Sequence, residues 1–212
     1  MKASLADTGL EGVSLQDWDE ESKQRFCRSL RERTKPMVIA ANKADVDGAM
    51  DTVRSLQERF PNHVILPMTA QCEKVLRDAE ASGSVSYLPG EESFEVVGDV
   101  SEKQEDALSF VSSDMDKIGG TGTQTVLDTV VFDVLSMVYA FPGSDKLEDK
   151  DGNTLPDCFL LPGGSTVLDF AYHIHSDIGD NFVQAYDVRR SVNVGKDYAL
   201  SDGDVIEIVA DD

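Results

Sequence analysis

The chain is short of cations and of cysteine, holds no long apolar run, and lacks the glycine-rich loop that cradles phosphates. Lys and Arg number 19 against 40 Asp and Glu, a formal charge of −21 with a pI near 4.3. Such a charge repels nucleic acid and anionic membrane at moderate salt, which argues against tight nonspecific binding to either; no DNA partner is expected. The three cysteines, Cys27, Cys72 and Cys158, are odd in number and far apart, with no C-x-x-C pair. That excludes a disulfide framework and fits mostly buried free thiols in a reducing compartment. No apolar stretch approaches roughly 18 residues, and neither a secretory leader nor a lipidation box is present. A cytoplasmic location without membrane contact is the expectation. The phosphate cradle G-x-x-x-x-G-K-[ST] is missing as well. The Gly195-Lys196 pair is followed by Asp197, with Arg190 where the first glycine belongs, and Gly119-Gly-Thr-Gly122 has no lysine after it. The D-x-x-G strings at 45–48 and 149–152 are unsuited to a Mg²⁺-side switch.

What is present points to folded domains. Hydrophobic residues make up 41% of 212, ordinary for a globular chain, and the acidic excess runs along its whole length. The length allows one large domain or two small ones. At molar salt the Debye length shrinks to about 3 Å, so self-repulsion largely vanishes. Ten lysines and this charge fit a saline cytoplasm, against the plainer reading of an acidic protein from an ordinary cell.

The organising stretch is residues 35–45, K-P-M-V-I-A-A-N-K-A-D. Met37 to Ala41 reads as a strand buried on both faces of a parallel sheet. Ligands bind beyond the carboxyl ends of such strands, where Asn42-Lys43-Ala44-Asp45 stands. Asp45 can accept two parallel hydrogen bonds from a ring N–H and an exocyclic amine. Guanine offers that pair; adenine presents an acceptor instead. Asn42 can tie the loop and reach the base edge, and the Lys43 stem can lie along the ring face. The plainer alternative is a loop that merely turns into a helix.

Before this stretch, residues 1–16 show no period and read as a loose lead-in, and a helix begins near Asp17 with acidic residues first and arginines last, as its dipole prefers. The cluster Arg25, Arg28, Arg31, Arg33, Lys35 is read as a favourably charged helix end, ahead of a phosphate contact. After it come a helix from Asp47 to Phe60, a buried strand at 63–68 ending in Thr69-Ala70, and a helix over 71–82 stopped by Gly83. An acidic connection reaches 100. Ser101 and Gln104 form a capping box for a helix with Leu108, Val111 and Met115 on one face, and a further helix starts at Thr123, with Val126, Val130, Val134 and Met137. From Met137 the pattern becomes strand, polar hairpin connection (142–154), strand, a helix capped by Thr166 and Asp169, then three short strands. That order is a β-grasp, the ubiquitin-like fold.

Other candidates fare less well. His173, His175 and Asp177 spell H-x-H-x-D, but residues two apart on a helix point about 200° apart and make a poor metal pair. The 149–153 string has the wrong spacing for calcium. Arg189-Arg190 reads as a solvated strand edge, Phe170 as core and Tyr172 as its rim. No nucleophile–base pair stands out, so no catalytic and no metal-ligating residues are assigned.

N-K-x-D is the guanine-specificity motif of GTPases, and Thr69-Ala70, 27 positions after Asn42, resembles their second base contact, usually Ser-Ala, whose alanine N–H meets guanine O6. The tail L-P-G-G-S-T-V-L-D-F-A-Y-H-I-H-S-D-I-G-D…D-Y-A-L-S-D-G-D-V-I-E-I resembles a TGS domain. Together with S-E-K-Q at 101–104 and G-T-Q at 122–124, the chain resembles, over roughly 17–212, the C-terminal half of an archaeal Obg-related (YchF-like) GTPase without its phosphate half. The resemblance implies a partial α/β GTPase domain over 1–70, a helical segment over 71–136 and a TGS β-grasp domain over 137–212. It implies GTP or GDP as ligand through Asn42, Lys43, Asp45, Thr69 and Ala70, with Mg²⁺ only if the phosphate half is supplied. It further implies a translation-associated role, with the TGS domain docking to the ribosome or structured RNA. This chain alone is not expected to hydrolyse GTP. The alternatives are a non-hydrolysing TGS adaptor with a vestigial nucleotide lobe, or a fragment of a TGS-containing alarmone enzyme, whose catalytic H-D motif is absent here.

If the −21 charge is an adaptation to salt, the melting temperature rises between roughly 0.1 M and 2 M KCl, as screening removes self-repulsion. A melting temperature that does not change over that range contradicts the reading.

Overall fold

The computed structural model describes residues 1–143 and 157–211. The chain divides into two compact units, Met1–Asp128 and Thr129–Asp212. Among the described residues no helix is long and apolar enough to cross a membrane.

The first unit opens with a helix, not a loose lead-in. Helix α1 (Lys2–Thr8) ends at Gly9 in the left-handed conformation, φ 69°. Tertiary contact overrides its weak pattern: Ser4 and Leu10 are buried, and Asp7 accepts hydrogen bonds from Arg33 and Ser29 of α2 (Glu20–Thr34). Asp19 caps α2, accepting from the Ser22 N–H at 2.7 Å, and Arg31 and Arg33 fall in its last turn, where the dipole favours cations.

Strands β1 (Val38–Ala41) and β2 (Val64–Pro67) pair in parallel, with Val38 opposite Val64 and Ala41 opposite Pro67. Helix α3 (Ala49–Arg59) is the crossover between them. The expectation that these strands are buried on both faces does not hold. Ile39 is 36% exposed, Met37 48% and Val64 37%, while Ile65 is buried. The apolar run anticipates cover on both faces, but burial depends on neighbours, and the described sheet has two strands.

Helix α4 (Ala70–Ala81) follows β2 directly, capped by Thr69. The acidic connection carries an unanticipated two-residue ladder, β3 (Val85–Ser86) antiparallel to β4 (Glu95–Val96). Helix α5 (Glu102–Ile118) begins at the anticipated Ser101/Gln104 capping box and stops at Gly119, φ 74°. Leu76, Cys72, Val85, Leu108, Val111 and Met115 form the buried core of this unit. The helix expected from Thr123 onward is shorter than its apolar spacing implies. Helix α6 (Thr123–Asp128) gives way to a π-helical stretch, Thr129–Val134, and Met137 already belongs to a strand. Periodicity marks the apolar face but does not register the change of pitch.

The second unit is a five-stranded sheet in the order β6-β5-β9-β7-β8. Its strands are β5 (Met137–Pro142), β6 (Phe159–Pro162), β7 (Phe182–Asp187), β8 (Val192–Val194) and β9 (Asp204–Ala210). The first and last strands, β5 and β9, run parallel at its centre, and the remaining pairs are antiparallel. This is the β-grasp arrangement. Helix α7 (Val167–Ile174) supplies Val167 and Phe170, both 0% exposed, to a core with Ala140, Leu161, Ala185 and Ile206. The Thr166/Asp169 capping box is in place: the Thr166 N–H donates to Asp169 at 2.7 Å and the Asp169 N–H donates back to the Thr166 hydroxyl at 3.2 Å. A second short helix, α8 (Ser176–Asp180), follows, with His175 Nδ1 accepting from the Asp177 N–H. His175 thereby serves as a cap, and Tyr172 stands at the rim, 48% exposed.

Two further readings need correction. Arg190 is no simple solvated edge: it donates to Asp187 at 2.6 Å and to Asp204 at 3.0 Å, two carboxylates that are almost fully buried. Asp187 at the end of β7 pairs with Ile206 of β9, two residues past Asp204, so the return of β9 brings those acids together, which linear sequence does not reveal. The thiols are not mostly buried either; Cys72 is, whereas Cys27 and Cys158 are exposed. The calcium-like 149–153 string and most of the hairpin connection lie outside the described residues.

Phe170 fills the centre of the second unit. Phe170→Ala should cost about 3–5 kcal/mol of its stability in urea unfolding, and a loss below about 1 kcal/mol would show that the helix is not seated on the sheet as described.

Candidate functional site

The carboxyl ends of β1 and β2 are stitched together by backbone and side-chain hydrogen bonds. The Met68 N–H donates to Ala41 C=O at 3.1 Å, and the Ala44 N–H donates to Met68 C=O at 3.1 Å. Asn42 completes the join. Its Oδ1 accepts from the Lys43 N–H at 2.8 Å and from the Ala70 N–H at 3.1 Å. Lys43 occupies the left-handed region, φ 67°, which costs a non-glycine residue free energy and forms here because the loop over-determines it. That turn throws Asp45 back toward the start of α3.

Asp45 lines a cavity of about 150 Å³ with Ala44, Val46, Asp47, Gly48, Met50, Asp51 and, from α5, Lys117. Its Oδ1 is buried and has no hydrogen-bond partner. A buried carboxylate oxygen without a donor costs free energy unless a ligand satisfies it. The cavity has the volume of a single heterocycle.

The second loop is held from behind. Thr69 is fully buried; its N–H donates to Thr121 C=O at 2.8 Å, and its hydroxyl accepts from the Cys72 N–H at 3.4 Å. Gly122, φ 75°, lies so close that a Cβ there would stand 2.3 Å from Pro67 C=O. Glycine is required by that approach and by its backbone conformation. Glu73, nearly buried on α4, accepts from Thr121 Oγ1 at 2.6 Å, from Tyr87 Oη at 2.8 Å and from Arg77 Nε at 2.8 Å. Burial pushes the Glu73 carboxyl up, but the donors of Thr121, Arg77 and Tyr87 outweigh it and hold the group below the ordinary glutamate value.

The structure joins Asn42 to Lys43 and Ala70 by hydrogen bonds, with Thr69 beside them, while of the five anticipated residues Asp45 alone lines the cavity. It also shows that the Ala70 N–H, which the resemblance assigns to guanine O6, donates to Asn42. Glu73, Thr121, Gly122 and Lys117 had no assigned role. Their sequence traces were Gly119-Gly-Thr-Gly122, read as a failed phosphate loop, and Gly122 in the G-T-Q of the resemblance.

Residues 40–145 match the family described as Obg-like GTPase YGR210-like, G4 motif-containing domain, and residues 145–210 match the TGS domain. The chain is 37% identical over 197 residues to an uncharacterized GTP-binding protein of Methanocaldococcus jannaschii, covering 91% of this chain and 50% of that protein. Over 53 residues it is 53% identical to the GTP pyrophosphokinase of Escherichia coli K12, 25% of this chain and 7% of the enzyme. Among solved structures, a GTP binding protein from Pyrococcus horikoshii OT3 superposes with a TM-score of 0.71 at 31% identity, over 99% of this chain and 55% of that one. The YchF GTPase of Schizosaccharomyces pombe shares the fold, with a TM-score of 0.53 at 12% identity, over 98% of this chain and 54% of that one. The chain spans about half the length of its long relatives.

Because the Glu73 carboxyl is held low, its ionised form stabilises the fold fully above about pH 4.3, and this contribution is lost as pH falls through the folded-state value. Unfolding free energies measured from pH 6 down to about 3 should show a shallower acid loss in Glu73→Gln than in the unaltered chain. Identical slopes would remove Glu73 from the account.

Proposed function

This chain belongs to the Obg-like GTPase family, and from that membership and the pocket geometry we propose that it reads guanine at the cavity beside Asp45 and docks to the translation apparatus through its β-grasp unit. The observation that carries the first part is the buried, unpartnered Asp45 Oδ1 facing a base-sized cavity. Guanine's N1–H and 2-amino group satisfy both oxygens of that carboxylate, whereas adenine would place its N1 lone pair against it. Asn42, Lys43, Thr69 and Ala70 do not line the cavity itself; in this reading Asn42 holds the Thr69-Ala70 backbone beside it and the Lys43 stem lies along the ring from outside. The ligand is GTP or GDP. Mg²⁺ belongs with a phosphate-binding half of the kind the chain's own sequence does not contain.

The second part rests on the family and on the free sheet face opposite α7, the default recognition surface of such a unit. Among the described residues of this unit the cations are Arg189, Arg190 and Lys196, and Arg190 is already committed to Asp187 and Asp204. Counterion release from so few charges does not sustain tight binding to random RNA. The partner is a shaped surface, ribosomal RNA or protein, met in a saline cytoplasm.

Titration calorimetry of the whole chain with GDP and ADP tests the first part. GDP should bind weakly, ADP should not register, and Asp45→Ala should abolish the GDP signal without GTP turnover in either protein. Equal binding of GDP and ADP, or turnover by this chain that disappears in Asp45→Ala, contradicts the reading.

A further inference from the structure

We infer that Lys117 is a further base-contacting residue of this pocket, its ammonium donating to the O6 acceptor of guanine; the inference rests on the guanine reading above. Once Asp45 holds N1–H and the 2-amino group, the base presents O6 immediately beside N1. The amide that the second base loop would offer, Ala70 N–H, is engaged by Asn42 Oδ1 at 3.1 Å. O6 therefore needs another donor. Among the described residues lining the cavity, Lys117 is the one cation, set against Asp45, Asp47 and Asp51.

Its position is fixed from below. Lys117 Nζ donates to Asp114 Oδ1 at 2.6 Å, and the Asp114 side chain is 1% exposed. The other Asp114 oxygen faces the Cys72 thiol in the first turn of α4, at 4.0 Å. The end of α5 is thus anchored to the helix that begins at Thr69-Ala70, and two residues past Gly119 the Thr121 C=O takes the Thr69 N–H. A lysine ammonium carries three donors. One is spent on Asp114, so Nζ keeps donors for the cavity that Lys117 lines. The arrangement adds a second discrimination, because adenine's 6-amino group would meet a cation where guanine offers a lone pair.

Lys117 also neutralises a buried carboxylate, so its removal alone confounds binding with folding. The paired variant Asp114→Asn/Lys117→Met separates the two: it removes both charges and keeps both shapes. In ligand-observed NMR titrations of the full chain with GDP and IDP, this variant should lose affinity at least about tenfold for both nucleotides, which share O6. Lys117→Arg should stay within a few-fold of the unaltered chain. A paired variant with unchanged circular dichroism and melting temperature that binds GDP as well as the parent would reduce Lys117 to a counter-ion of Asp114 and overturn the proposal, leaving the Asp45 reading intact. An unaltered chain that shows no Asp45-dependent GDP signal overturns both.

Discussion

The carboxyl ends of the paired strands in the first unit depend on one acceptor, Asn42 Oδ1, which takes the backbone N–H groups of Lys43 and Ala70, 27 positions apart in sequence. A two-stranded parallel ladder is a weak scaffold by itself, since parallel sheets are ordinarily covered on both faces. Here the ladder's exposed Met37, Ile39 and Val64 contribute little burial, and precision at its end comes from hydrogen bonding. The Asn42 bridge fixes the two loops to each other, and the Thr121 carbonyl fixes the second loop to the end of α5. Gly122 permits that contact by having no Cβ. Beside this join lies the cavity in which Asp45 Oδ1 stands without a donor, a buried acceptor that a base can satisfy.

Charge in this chain is managed by burying it in pairs. Glu73 with Arg77, Asp114 with Lys117, and Asp187 and Asp204 with Arg190 each place carboxylates in the interior against a partly exposed cation. Such pairs contribute modest net stability and strong penalties when half is removed. Of these, the Asp114–Lys117 pair reaches the cavity beside Asp45 through Lys117, while Glu73 holds Thr121 behind the second loop.

Much of this was legible from local sequence. Ser101 with Gln104 and Thr166 with Asp169 are capping boxes that need only residues three apart, and both form. The N-K-A-D tetrad and Thr69-Ala70 were found because strand ends position loops predictably. Properties set by distant neighbours were not legible. Whether Met37–Ala41 is covered depends on what lies beside it. Arg190 joins acids from two strands, and α1 exists because α2 receives it. Glu73 and Lys117 carried no reading, since nothing in the sequence reveals that Thr121 folds against the one and that the other lines the cavity with Asp45. The π-helical stretch at Thr129–Val134 keeps the apolar face of a helix while changing its pitch, and a pattern of Val126, Val130 and Val134 fits either.

The account turns on Asp45 reading the 2-position of a purine, and exchanging its chemistry at constant shape tests that directly. An Asn at that position keeps one acceptor for N1–H and presents a donor where the carboxylate had an acceptor. Xanthine offers a 2-oxo group in place of guanine's 2-amino group, so the donor then finds its match. Competitive binding of GDP and XDP to the chain and to Asp45→Asn should show the preference for guanine reversed in favour of xanthine. An unchanged preference, or a variant of native stability indifferent to both bases, would mean that Asp45 does not read the base.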